Sequence, residues 1–254
     1  METNQKTQLT KYLAHCGLSS RRKVTDLINE GLIAINGAIV KNPGERINPT
    51  DTITCQGRVV RPEKKVYILL NKPEGFVCTL SDPNQERTVM ELVQLPSKQR
   101  IYPVGRLDQD TTGVLIMTND GDLAQQLAHP RFARKKVYHT LLDRDLDPRD
   151  LEKIRNGITL RDGKVKADRA YFVQGRTKRH VGVELHSGRY HIIRRIFMHL
   201  GYHVTKLDRV AYSSLTKRGV TKGNWRYLTQ EEIRMLQAPE VKYVPTKRIA
   251  KNSK

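Results

Sequence analysis

The nine-residue segment 105–113, which reads Gly-Arg-Leu-Asp-Gln-Asp-Thr-Thr-Gly, constrains this chain more than any other stretch. It places Arg106, Asp108 and Asp110 at alternating positions just before the apolar run at 114–117. Residues two apart in an extended chain point to the same side, so we expect these three side chains to share one side. A guanidinium favours the ionised form of a neighbouring carboxylate. An ionised Asp in a fixed position serves as a nucleophile, a metal ligand or a cap, and this segment alone leaves the three open.

The charge of the chain indicates a polyanionic partner. Among its 254 residues, Lys and Arg number 46 against 26 Asp and Glu, which gives a net charge of +20 at pH 7. Positive charges in such an excess repel one another within a fold, and a bound polyanion would neutralise them. Because phosphate neutralisation releases counterions, we predict a nucleic acid as the partner. An anionic lipid surface is the weaker alternative, since no apolar run approaches the roughly 20 residues of a membrane span.

The cysteines and the N-terminal residues indicate the cellular compartment of the protein. Cys16, Cys55 and Cys78 are far apart and odd in number, so they predict neither a disulfide framework nor a paired metal site. The first residues lack the apolar core of a signal peptide. We therefore expect a protein of the reducing cytoplasm that is not bound to a membrane.

The N-terminal residues 8–62 are predicted to form a small ααβ domain. Apolar residues at helical spacing indicate two short helices, and Ser19 or Ser20 caps the second. The Asn-Gly pair at 36–37 lies between two apolar runs and predicts a two-residue hairpin. A further strand pair, which turns at the Gln-Gly pair at 56–57, completes the domain.

Three consecutive basic residues, Arg21, Arg22 and Lys23, fall in the first turn of the second predicted helix. Cations at a helix N-terminus oppose the helix dipole, which indicates a reason for them other than helix stability. Together with the positive helix end they could grip a stretch of phosphates. A solvated helix face is the alternative interpretation.

This N-terminal domain resembles the small RNA-binding domain shared by ribosomal protein S4 and many RNA-modifying enzymes. The resemblance rests on the Leu-Thr-Lys-Tyr-Leu-Ala motif at 9–14, the Ser-Ser-Arg-Arg motif at 19–22, Gly31 and the pair at 36–37. It implies a set of RNA-binding residues that comprises Lys11, Arg21, Arg22 and Lys23.

The remaining body, residues 66–240, is predicted to mix strands and helices after a polar linker at 61–65. Strands are predicted at 66–70, 114–117, 137–142, 181–185 and 204–207. Helices are predicted at 88–93, 123–128, 148–155, 192–199 and 230–236. The basic tail at 244–254 is expected to be disordered and to add non-specific attraction to phosphates.

Two alternatives for the acidic pair do not involve RNA chemistry. The pattern Asp108-x-Asp110-x-Thr112 resembles the opening of haloacid-dehalogenase-like phosphatases, in which the first Asp attacks phosphorus and Mg²⁺ lies between carboxylates. That class has a fully apolar strand before the first Asp, which Gly-Arg at 105–106 interrupts here. It also has a later acidic pair, which is not evident in this chain. The second alternative is structural, with one of the two Asp residues capping a turn.

Taken together, four ordered motifs resemble a more specific family. Leu-Asn-Lys-Pro-Glu-Gly stands at 70–75, and Ser-Gly-Arg-Tyr-His begins the motif at 187–195. Gly-Asn-Trp-Arg-Tyr-Leu-Thr stands at 223–229. The Gly-Arg-Leu-Asp segment at 105–108 is followed by matching residues at 112–113, 118–124, 129–130 and 136–138. This arrangement resembles the RsuA/RluB family of ribosomal RNA pseudouridine synthases. The resemblance covers nearly the whole chain, including the N-terminal domain.

The resemblance carries an expected fold and activity. It implies an α+β protein in which the small RNA-binding domain precedes a catalytic domain with a mixed, mostly antiparallel central sheet. The activity would be isomerisation of a specific uridine in large-subunit (23S) ribosomal RNA, as in the RluB branch. A small-subunit synthase of RsuA type and a non-catalytic rRNA-binding protein are the alternatives. We expect a monomer that uses no metal and no cofactor and acts on ribosomal RNA or an assembling ribosomal subunit.

The resemblance also assigns roles to residues. Asp108 would be the nucleophile, and Arg194 would pair with it and hold it ionised. Arg106 would fill the gap left by the extruded nucleotide, and Tyr138 would offer a flat face to the flipped uracil. Two further basic residues are expected to bind RNA, namely Arg189 and Arg195.

Overall fold

The computed structural model of the chain describes residues 6–84, 86–97 and 99–238. The basic tail predicted at 244–254 lies outside these residues. The N-terminal part contains two helices, α1 (Leu9–His15) and α2 (Arg21–Asn29). Its strands are β1 (Thr7–Gln8), β2 (Ile33–Ile35), β3 (Ala38–Val40), β4 (Arg46–Ile47), β5 (Ile53–Cys55) and β6 (Arg58–Val59).

The N-terminal part follows the predicted pattern closely. Ser20 caps α2 by accepting a hydrogen bond from the backbone N–H of Lys23. Strands β3, β2, β5 and β6 form a four-stranded sheet in that order. Both predicted hairpins are present, and their central residues have positive φ, as a two-residue turn of this type requires: Asn36, Gly37, Gln56 and Gly57.

The described residues of the larger part form eleven strands, of which the sequence predicted five, at 66–70, 114–117, 137–142, 181–185 and 204–207. The eleven strands are β7 (Tyr67–Lys72), β8 (Tyr102–Pro103), β9 (Thr111–Thr118), β10 (Lys136–Leu142), β11 (Ile158–Leu160), β12 (Gly163–Val165), β13 (Arg169–Phe172), β14 (His180–Leu185), β15 (Val204–Tyr212), β16 (Leu215–Thr216) and β17 (Trp225–Tyr227). Its helices are α3 (Gly121–Ala128), α4 (Pro148–Asn156), α5 (Ile192–His199) and α6 (Gln230–Gln237). Two 3₁₀ turns cover Val89–Leu92 and Pro130–Phe132.

The central sheet is mixed and mostly antiparallel, as expected. Its strands follow the order β13-β14-β10-β15-β9-β7-β17, with β16 beside β15 and β8 beside β9. Among the described strands of this sheet, β15 and β9 form the one parallel pair. The chain is therefore an α+β protein, and the start of β9, which follows the Asp108 turn, lies in the middle of the sheet.

Both faces of the central sheet are covered. Leu115 and Met117 of β9 belong to one apolar core together with Phe197 of α5. Val114 and Ile116 belong to a second core, on the face covered by α3 and α6. Because every residue of β9 is buried, its sequence shows a continuous apolar run rather than alternation.

The helix predicted at 88–93 is wrong. This stretch forms the 3₁₀ turn Val89–Leu92, in which Thr88 and Glu91 make a reciprocal capping box. Val93 already has extended backbone angles. An isolated stretch of this length contains two β-branched valines and provides too few hydrogen bonds to nucleate an α-helix.

The parallel pairing of β9 and β15 depends on Gly113. This residue has φ +109°, and a Cβ there would lie 2.2 Å from the backbone oxygen of Arg209 and 2.6 Å from a carboxylate oxygen of Asp208. The absence of a side chain therefore allows the two strands to approach closely. The approach sets β15 against the beginning of β9, which starts one residue after Asp110.

A buried lysine fixes the turn that precedes β9. The side chain of Lys72, at the end of β7, has no exposed surface. Its ammonium donates to the carbonyl oxygens of Pro73 (3.0 Å), Asp108 (3.1 Å), Gln109 (3.1 Å) and Thr111 (2.9 Å). Burial lowers the pKa of Lys72, and the four carbonyl partners compensate for the water that the ammonium has lost. The backbone of Asp108 is thereby tied to the central sheet.

We predict that Gly113→Ala destabilises the protein more than a change that introduces backbone strain alone. Gly163 has a similar φ of +104° but nothing within 4 Å of its added Cβ, so Gly163→Ala is the matched control. The control is expected to cost about 1–2 kcal/mol, and Gly113→Ala a further ~1–3 kcal/mol for the overlap with β15. Urea unfolding of both variants measures the difference, and equal midpoints would contradict the close approach of β9 and β15.

We also predict that Lys72→Met lowers the free energy of unfolding by about 2–4 kcal/mol, because buried carbonyls lose their donor. The exposed Lys64 provides the control, since Lys64→Met removes a positive charge without removing a buried donor. Denaturant unfolding of the two variants tests this. A Lys72→Met protein as stable as Lys64→Met would show that the lysine does not hold the turn.

Candidate active site

A small pocket opens beside the Asp108 turn. Its volume is about 150 Å³, and it is lined by the 104–108 loop, the start of β9, β10, β15 and the N-terminal end of α5. Asp108 and Tyr138 both line it. Cavities of about 150 Å³ can admit a six-membered ring such as benzene. The pocket therefore has the size needed for a single pyrimidine base.

Asp108 lies at this pocket with two cationic or polar neighbours. Its side chain is 33% exposed, and its Oδ1 lies 3.1 Å from Nε2 of His191. Nε of Arg194 lies 3.9 Å from its Oδ2. The shortest ionic contact of Arg194 is to Asp110 instead, at 2.7 Å, while its other terminal nitrogen donates to the carbonyl of Val204. Arg194 thus bridges the two carboxylates. Residues 108–111 form a turn that is closed by a hydrogen bond from the Thr111 amide to the Asp108 carbonyl, so the extended chain expected from the sequence is not present here.

His191 is a site residue that sequence reasoning missed. It precedes α5 in the left-handed region, with φ +46° and ψ +34°, and its ring stacks on that of Tyr190 at a centroid distance of 3.7 Å. This backbone conformation turns the imidazole back towards Asp108. The Tyr-His pair directly before a helix is a weak local signal, and the contact arises only when the 105–110 segment folds against α5.

Tyr138 and Arg106 occupy different parts of the site. Tyr138 is 8% exposed and lies on β10, where it pairs with Val183 of β14 and Arg209 of β15. Its phenol ring forms part of the pocket wall. Arg106 is exposed and lines both this pocket and a larger adjoining cleft of about 870 Å³. Arg106 therefore lies between the base-sized pocket and the open surface.

The two other basic residues of the 187–195 motif contact a neighbouring hairpin. Arg189 donates to the carbonyls of Gly163 and Lys164, and Arg195 forms an ion pair with Asp162. These contacts attach the β11–β12 hairpin to the start of α5. Any phosphate bound by Arg189 or Arg195 would have to compete with them.

The basic residues of the N-terminal part are arranged in two ways. Lys11 forms an ion pair of 2.7 Å with Asp122 of α3 and so links α1 to the larger part of the protein. Arg21 is exposed and donates to the side chain of Gln8. Arg22 and Lys23 are exposed beside it at the start of α2. This end of α2 presents a basic surface.

The described residues contain neither a helix that could span a membrane nor a cluster of side chains placed to bind a metal ion. Within 6–84, 86–97 and 99–238, no helix is long and apolar enough to cross a membrane. In the same ranges, no group of three or more His, Cys, Asp or Glu side chains is placed to hold a metal ion. The three cysteines have free thiols.

Comparison with known proteins identifies the family. Residues 66–199 match the family described as RNA pseudouridylate synthase, and residues 9–53 match the S4 domain. An uncharacterized RNA pseudouridine synthase of Aquifex aeolicus is 38% identical, with 95% of this chain and 98% of that protein covered. The ribosomal large subunit pseudouridine synthase B of Bacillus subtilis is 37% identical, with coverage of 91% and 96%.

A solved structure agrees with the sequence comparisons. A crystal structure of a pseudouridylate synthase superimposes with a TM-score of 0.63 at 29% identity, and covers 90% of this chain and 98% of the other. The match extends over both the N-terminal part and the larger part that holds the pocket. The chain therefore belongs to the RsuA/RluB family of RNA pseudouridine synthases, enzymes in which an S4 domain precedes the catalytic domain.

Proposed function

We propose that this enzyme converts a specific uridine of large-subunit ribosomal RNA to pseudouridine, with Asp108 as the nucleophile. One observation carries the proposal: the Asp108 carboxylate lies at a pocket of single-base size whose wall includes Tyr138. The name of the Bacillus subtilis relative, aligned over 91% of this chain, favours the large subunit over the small one. The substrate would be the RNA itself or an assembling particle, and the enzyme would act as a monomer.

The reaction needs a nucleophile but no oxidant, reductant or energy source. The bond between the ribose and N1 of uracil breaks, and a bond forms between the same ribose carbon and C5. The hydrogen at C5 leaves as a proton, and N1 gains one. A carboxylate can form a covalent adduct with the sugar or the base and leave again after the base has turned.

The surroundings of Asp108 suit this role. The guanidinium of Arg194 lies 3.9 Å from one oxygen of the Asp108 carboxylate and attracts it electrostatically, and Nε2 of His191 lies 3.1 Å from the other oxygen, so the two residues restrict its orientation. Asp110 shares Arg194 but is 67% exposed and does not line the base-sized pocket. We therefore assign the nucleophilic role to Asp108 and a positioning role, through Arg194, to Asp110.

The target uridine must leave its helix before it can reach Asp108. Extrusion of a base from a stack costs a few kcal/mol, and contacts between basic side chains and phosphates offset this cost. Tyr138 offers an aromatic face to the extruded base. Arg106, at the entrance of the pocket, is placed to fill the space that the base leaves. The 8–62 domain would bind neighbouring RNA through its phosphates, while the 66–240 domain performs the reaction.

We predict that Asp108→Asn abolishes pseudouridine formation and leaves RNA affinity within about twofold of wild type, because phosphate contacts supply most of the affinity. The reaction replaces hydrogen at C5, so tritium release measures it. The substrate is rRNA or ribosomal particles from cells that lack the gene and were grown on [5-³H]uracil. The comparison variant is Asp110→Asn, which removes the carboxylate that positions Arg194 and should lower turnover without abolishing it. Full activity of Asp108→Asn would contradict the assignment.

We predict that the triple change of Arg21, Arg22 and Lys23 to Gln weakens rRNA binding and flattens its salt dependence. Three lost phosphate contacts should reduce the slope of log K against log salt concentration by about 2–3.

A matched control removes three basic residues that already pair with acids. Arg144, Arg149 and Lys153 contact Asp143, Asp147 and Asp150, respectively. Their change to Gln should alter the slope less. If both triple variants bind with the wild-type slope, the start of α2 does not bind phosphate.

A further inference from the structure

Two buried polar atoms at the base-sized pocket lack a hydrogen-bond partner. They are Oγ1 of Thr111 and Nη2 of Arg209, which have no partner among the described residues. Thr111 is 1% exposed and Arg209 is 3% exposed, and both residues line the pocket that holds Asp108 and Tyr138. Buried polar groups are nearly always paired, so two such atoms at one pocket require an explanation.

The guanidinium of Arg209 and the backbone of Thr111 are held in place by other contacts. Nε of Arg209 donates to the carbonyl of Val114 at 2.8 Å, and its guanidinium carbon lies 4.9 Å from the centroid of the Tyr212 ring. The amide of Thr111 donates to the carbonyl of Asp108, and its own carbonyl accepts from Lys72. The unpartnered atoms therefore lie at defined positions relative to Asp108.

The other unpartnered buried atoms in the described part of the chain lie elsewhere. They are Oδ1 of Asn71 and Nε of Arg134, and neither residue lines this pocket. Two of these four atoms thus belong to residues that line the pocket, and these residues lie on different strands, β9 and β15. Two unpartnered polar groups on the lining of one base-sized pocket indicate a ligand that carries complementary polar groups.

We propose that Arg209 and Thr111 recognise the polar edge of the extruded uracil, an inference that rests on the proposed function. A guanidinium N–H can only donate, and the carbonyl at C4 of uracil can only accept. The hydroxyl of Thr111 accepts from the neighbouring N3–H. Cytosine carries an amino donor at C4, so Arg209 would face a second donor and reject it. The pair would make the pocket specific for uracil.

The sharpest test is Thr111→Val, which exchanges a hydroxyl for a methyl group of similar size. Because this hydroxyl has no hydrogen-bond partner among the described residues, its removal should leave the melting temperature unchanged or raise it. The single-turnover rate of tritium release from [5-³H]uracil-labelled rRNA or particles should fall about tenfold or more, since a site built to hydrogen-bond a substrate discriminates strongly when a partner is lost.

Thr140→Val is the matched control. Thr140 is 2% exposed, and its hydroxyl donates to the carbonyl of Val181 at 3.0 Å, away from the pocket. This change should lower the melting temperature and leave the single-turnover rate of the folded enzyme unchanged. The two threonine variants are therefore expected to show opposite patterns of stability and rate.

A second variant tests the guanidinium separately. Arg209→Lys keeps the positive charge but removes Nη2, so the rate should fall while RNA affinity, measured by filter binding, stays within about twofold of wild type. A wild-type protein that releases no tritium overturns the proposed function and this inference with it. A wild type that turns over while Thr111→Val and Arg209→Lys match its rate overturns only the assignment of the uracil edge.

Discussion

The buried ammonium of Lys72 is the interaction on which the site depends. It donates hydrogen bonds to three backbone carbonyls of the 108–111 turn, so these carbonyls face inwards. The carboxylate of Asp108 then faces the pocket. His191 and Arg194 act on a carboxylate whose position is already fixed. A backbone that fixes the position of the nucleophile suits a reaction in which the detached base must turn within the site. A small displacement of the nucleophile from the reacting atom would lower the rate.

Much of the local structure could be predicted from the sequence. The cap at Ser20 and both hairpin turns depend on neighbouring residues alone, and the structure confirms them. The mixed sheet and the family followed from ordered motifs and are also confirmed. The prediction of a helix at 88–93 was wrong because the apolar spacing of a single turn is compatible with a 3₁₀ turn as well as with an α-helix. The roles of the individual site residues remain predictions.

The contacts between distant segments could not be predicted. Arg194 and Asp110 are 84 residues apart, and they meet only because α5 lies against the turn before β9. The inward position of Lys72 and the unpartnered atoms of Thr111 and Arg209 likewise follow from the packing of β7, β9 and β15. The phosphatase interpretation of the acidic pair places the first Asp directly after a strand, whereas Asp108 lies in a turn that leads into β9.

A pseudouridine map of rRNA in cells tests most directly whether Asp108 is the nucleophile that modifies one uridine of the large-subunit rRNA. The map would be compared between cells that lack the gene, cells that carry the wild-type gene and cells that carry Asp108→Asn. We predict that one large-subunit pseudouridine disappears without the gene, returns with the wild type and stays absent with Asp108→Asn. An unchanged map without the gene, or a site restored by Asp108→Asn, would contradict the account.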